Sequence, residues 1–149
     1  MKFVFSRDNP DQHGTSFELG DIRVIGARGE ATSAGKIPSQ SMFIYLSLVD
    51  LADGMRLLTE KKESHHHFAA VNSSFTIEFH RRAAKLIEVR SAEVAIGSES
   101  LTGVVDGMLT GFETFMSDPR NVLGTQEPAS TDLTTAVREL RVARERSGG

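Results

Sequence analysis

The chain has 149 residues, 39% of them hydrophobic and 25% charged, with a formal net charge of −3 and no cysteine. That length suits one domain, and these fractions exclude disordered and fibrous classes. The missing cysteines exclude disulfides, thiolate metal ligands and a thiol nucleophile, and the mild acidity argues against a protein that tracks phosphate backbones.

Phe3 and Phe5 alternate with polar or smaller residues over 2–6 and predict a first strand. Asp8, Asn9, Pro10 and Gly14 end it. Two apolar runs, 16–19 and 22–25, flank Gly20 and Asp21. Gly followed by Asp in that place predicts a type II′ hairpin, with one continuous strand bulged at Gly20 as the rival. Residues 30–33 predict a short edge strand. Pro38 pushes Ile37 out of helical space, so 35–38 is a loop.

The most apolar run, 42–58, has almost no polar face in its first half. From there Leu48, Leu51, Ala52, Met55 and Leu58 fall on one side of a helix. The run predicts a central buried helix capped by Ser39 or Ser41, with a buried strand over 43–49 as the alternative for its first half. After a polar loop at 60–64 and the histidines 65–67, residues 74–80 alternate. Phe75, Ile77 and Phe79 point inward, and Thr76, Glu78 and His80 point outward. Residues 81–83 read as a turn, and 85–90 and 93–96 as two further strands of a meander.

Ser98 is the expected cap of the clearest helix, in which Leu101, Val104, Val105, Met108, Leu109, Phe112, Phe115 and Met116 recur at helical spacing. Asp118 and Pro119 mark its end. A last helix, capped by Thr131, carries a narrow stripe of Leu133, Val137 and Leu140 with arginines outside. The expected organisation is a single domain over 1–118, a linker over 119–130, and a detachable charged helix and tail over 131–149. The expected fold class is α+β: an antiparallel sheet of about five to six strands, two main helices on one face, and a C-terminal helix. The N-terminus lacks a signal-peptide core, and no apolar run reaches the ~18–20 residues of a membrane span, so a cytoplasmic protein without membrane contact is expected.

Three groups of residues invite a chemical reading. His65, His66 and His67 are adjacent, so on extended chain His65 and His67 share a side. A solvated strand is the plainer reading. A metal site is the alternative, with His80 or His13 completing it. Asp50 and Asp53 sit one helical turn apart and could divide acid and base roles, or simply line a solvated face. Gly103, Gly107 and Gly111 form a bare strip in the clearest helix, each costing ~1 kcal/mol relative to alanine. Such a strip admits another backbone, from this chain or from a partner.

Other patterns fail. Residues 29–36 have the look of a phosphate loop, but their glycines are separated by five residues, and Ile37 and Pro38 stand where the hydroxyl and helix should follow. Residues 97–100 lack the final glycine of a nucleophile elbow. The basic turn at 80–82 is too small to imply nucleic acid. No cofactor motif is present. The expected function is a non-enzymatic protein-binding module, of partner or inhibitor type like a toxin's immunity protein. It would contact another protein or itself through Gly103, Gly107 and Gly111 with Arg138 and Arg141 of the charged helix. The alternative is a metal-dependent or acid–base enzyme using His65, His67 and His80 with Asp50 or Asp53.

Overall fold

In the computed structural model, which describes residues 1–83 and 85–147, the alternation of Phe3 and Phe5 becomes β1 (Lys2–Arg7), with Phe3, Phe5 and Arg7 buried. It pairs antiparallel with β2 (Leu19–Ile25), Lys2 opposite Ile25 and Arg7 opposite Gly20. The hairpin expected at Gly20 and Asp21 is absent. β2 runs straight through both residues with no shift of register. Gly20 serves close approach instead of a turn: a Cβ there would lie 2.2 Å from the Ser6 carbonyl oxygen and 2.8 Å from Ile44 Cβ.

The other side of β2 is shared by two short strands. β3 (Glu30–Thr32) pairs with Arg23 to Ile25, and β4 (Met42–Phe43) with Leu19 and Gly20. Ser33 completes the ladder between them. Its Oγ accepts from the Ile22 N–H at 3.0 Å and donates to Asp21 Oδ1 at 2.8 Å. The Ile37–Pro38 peptide in the intervening loop is cis.

β4 leads directly into α1 (Ile44–Thr59), the central helix, where Leu48, Leu51, Ala52, Met55 and Leu58 are fully buried. The run 42–58 is therefore helical apart from its first two residues. Neither Ser39 nor Ser41 caps it. The N-cap is Phe43, and the Ile44 N–H is satisfied by the Glu18 carbonyl at 3.0 Å. Ser41 Oγ donates to Asp21 Oδ1 instead.

A second sheet follows as a meander of β5 (His65–Ala69), β6 (Thr76–Ala83), β7 (Leu86–Ser91) and β8 (Val94–Ser100). Residues 81–83, expected as a turn, extend β6, with a register shift between Arg81 and Ala83. β8 reaches Ser100, so Ser100 and not Ser98 caps α2 (Leu101–Ser117), accepting from the Gly103 N–H at 3.0 Å. A single 3-10 turn, Pro119–Asn121, follows.

α3 (Pro128–Arg146) starts at Pro128, three residues before Thr131, because proline is preorganised for a first helical position. It packs on α1. Ala129, Ala136 and Ala143 are buried beside Leu133, Val137 and Leu140, which makes the stripe wider than its large residues suggest. The segment before α3 is pinned to the body: Leu123 is buried, and the Asn121 carbonyl accepts from the Tyr45 hydroxyl at 2.7 Å.

The fold is α+β, with antiparallel strands throughout and a C-terminal helix. Among the described residues eight strands divide into two four-stranded sheets instead of one sheet of five or six, because the chain leaves the first sheet through α1 before the meander begins. One hydrophobic core draws on both sheets and all three helices. Among the described residues no helix is long and apolar enough to cross a membrane.

Candidate functional site

Strand alternation and register bring together residues distant in sequence. His65 lies opposite His80, and His67 opposite Glu78, in the β5–β6 ladder. Directly opposed residues of an antiparallel pair share a face. His65, His67, His80 and Glu78 therefore stand on one side of the second sheet, and that side is open: the His65 and His67 side chains are 44% and 50% exposed. The His65 and His80 ring centroids are 5.1 Å apart. Each Glu78 carboxylate oxygen pairs with one imidazole, Oε2 with His65 Nε2 and Oε1 with His67 Nδ1. Partial burial pushes the Glu78 carboxyl up, but the hydrogen bonds and charges of His67 and His65 outweigh it and hold the group below its usual range. Beyond His80, β7 presents Glu88, bound to Arg82 at 2.9 Å.

A neutral imidazole ligates a metal through one nitrogen while its other N–H is held by a carboxylate or carbonyl. Glu78 provides such a partner for two rings at once. Among the described residues no three histidine, aspartate or glutamate groups already surround a common point able to hold an ion. The exposed rings would have to turn to converge on one. His13 is elsewhere, exposed in the β1–β2 loop near Glu127.

His66 points the other way. Its ring stacks 6.3 Å from Phe79 and presses on Gly54 of α1. Burial holds its pKa down, and its Nε2 is buried without a hydrogen-bond partner. Asp50 and Asp53 belong to this α1 side. Burial raises both carboxyls, with His66 opposing the effect on Asp50 and Arg56 on Asp53. Asp50 thus adjoins His66, while the exposed imidazoles His65 and His67 stand on the opposite face of β5. An acid–base site joining Asp50 or Asp53 to His65, His67 or His80 is not assembled.

The glycine strip is filled from within. A Cβ on Gly107 would fall 2.1 Å from the Met1 carbonyl oxygen, and one on Gly111 would fall 2.6 Å from the Phe3 carbonyl oxygen. β1 is the edge strand of the first sheet, and α2 covers that edge. Gly103 faces only the side chains of Ser100 and Glu99. Arg141 ties α3 to α2 through Glu113 at 2.6 Å, as Arg144 does through Asp106 at 2.8 Å. Arg138 is exposed and shares a shallow surface with Arg56 and Glu139.

The spacing of His65 and His67 signalled their common face, but Glu78 was legible only as an outward residue of β6. Its place between the two rings depends on register, which no local pattern encodes. A scan against family models and searches of curated proteins and of solved structures found no match.

Proposed function

We propose that this chain is a binding protein whose open β5–β6 face takes a borderline divalent cation such as zinc. The observation that carries the reading is the gathering of His65, His67 and His80 on one solvent-facing side, with Glu78 holding two of the rings. Four of the chain's five histidines lie on these two strands, and three of the four face outward together. Imidazole-rich sites suit zinc, copper and nickel, whereas calcium and magnesium favour all-oxygen sites. Turning the exposed rings costs on the order of 0.5–1.5 kcal/mol each, small beside a multidentate metal bond. A cation that binds only the folded state raises its melting temperature. Zinc is expected to raise Tm of the untagged protein and to leave a His65→Ala/His67→Ala variant unmoved. An unshifted wild-type protein would remove the reading.

A second reading, docking of another protein or a second copy, draws on an exposed apolar patch. Phe17 is 66% exposed and packs edge-on to Phe43 at 5.6 Å, and Leu19, 44% exposed, pairs with Phe43 across β2 and β4. Self-association through this patch predicts a mass that rises with concentration and falls back to monomer in Phe17→Asp. A monomer at every concentration would exclude the second copy.

A further inference from the structure

We propose that the cavity between the end of α1, the β6–β7 turn, the start of α2 and the end of α3 binds a small organic molecule carrying a phosphate group. The cavity has a volume of about 510 Å³. That is the size of a small-ligand site, typically about 300–1,000 Å³. Lys61, Lys85 and Arg146 line it from three segments far apart in sequence. In a chain with net charge −3 such a convergence is local and not a consequence of composition.

None of these three cations forms an ion pair among the described residues. The one carboxylate on the wall, Glu60, is bound to Arg56 at 2.7 Å, with Lys62 at 3.9 Å. Three unpaired positive groups around one space lower the free energy of a dianion more than that of a monoanion. Arg146 adds a planar fork matched to phosphate oxygens, and the lysines act as point charges. Leu101 and Ala143, both nearly buried, give the cavity an apolar wall, so the phosphate is expected to carry an organic group that covers them. Lys61 and Lys85 are close in sequence to His65 and His80, but none of the outward histidines nor Glu78 lines the cavity, so the site stands without the histidine face.

The test uses the full chain and two probes, inorganic phosphate and phenyl phosphate, titrated calorimetrically. Phenyl phosphate is expected to bind saturably and more tightly than inorganic phosphate. Lys85→Ala and Arg146→Ala are each expected to weaken it about tenfold, the loss of one charge-assisted contact. Both side chains are exposed, so thermal melts of the variants should match wild type. The proposal is overturned if neither probe binds saturably up to ~10 mM, the weak end of specific recognition, or if both substitutions leave the affinity unchanged.

Discussion

Gly54 of α1 and His66 of β5 interlock: a Cβ on Gly54 would lie 1.9 Å from His66 Nε2. Stacking on Phe79 limits where the ring can go. Gly54→Ala gains ~1 kcal/mol of helix propensity, but overpacking costs about 1–3 kcal/mol. A net loss of stability in urea is expected. His66→Ala in the same chain should recover part of it, giving a measurable coupling between the two sites. A single Gly54→Ala variant as stable as wild type would show that the ring moves aside freely.

The glycine strip supplies a ranking. Gly107→Ala and Gly111→Ala drive a methyl into the backbone carbonyls of Met1 and of Phe3 in β1, which have no rotamer to retreat into. Gly103→Ala meets only the side chains of Ser100 and Glu99, at 3.0 and 3.1 Å. Denaturation midpoints should fall well below wild type for the first two and stay close to it for the third. Equal midpoints in all three would mean that α2 does not seat on β1 as described.

Much of the fold is legible where a pattern is local. The alternation of Phe3 with Phe5 and of Ile77 with Phe79, and the helical spacing from Leu101 to Phe115, each reach the element expected of them, while Phe75, expected inside a strand over 74–80, is buried just before β6 begins at Thr76. What stays hidden depends on partners. Gly20 resembles a turn residue, yet Ser6 and Ile44 are what require it. Ser98 could cap a helix, but pairing with Glu88 keeps it in β8. Arg81 to Ala83 look like a turn until β7 pairs with them. The histidine face is half legible: spacing aligns His65 with His67, whereas His80 and Glu78 join them only through cross-strand register.

In sequence α3 looks detachable, with a narrow stripe of large apolar residues and arginines outside it. Its buried alanines let it lie close on α1, and Leu140 is fully buried there. Leu140→Ala is expected to cost about 2–5 kcal/mol. Deleting 131–149 would uncover α1 and should abolish cooperative unfolding in a thermal melt. A truncated chain that melts as sharply as the full one would make α3 an appendage.

Asp8 supplies a pH dependence. Burial first, and then the neighbouring Asp21, push its carboxyl from 3.8 up to about 6. The folded state then holds this proton more tightly than the unfolded chain, so stability is favoured at low pH and lost as pH rises from about 4 through about 6. Asp8→Asn should remove that component. The difference in urea midpoint between variant and wild type is expected to widen in the variant's favour over this interval. A difference independent of pH would contradict the arrangement of Asp8 and Asp21.

On the zinc proposal, the outward imidazoles of β5 and β6 act as one ligand set. Calorimetric titration of the untagged protein with zinc at neutral pH tests it most directly. About one equivalent is expected to bind, with a loss of about 10–100-fold in affinity for Glu78→Gln, which removes the carboxylate orienting two rings, and abolition by His65→Ala with His67→Ala and His80→Ala. His66→Ala, on the opposite face, is expected to leave the stoichiometry unchanged. Less than about a tenth of an equivalent in wild type, or binding that survives the loss of all three outward histidines, would contradict the proposal.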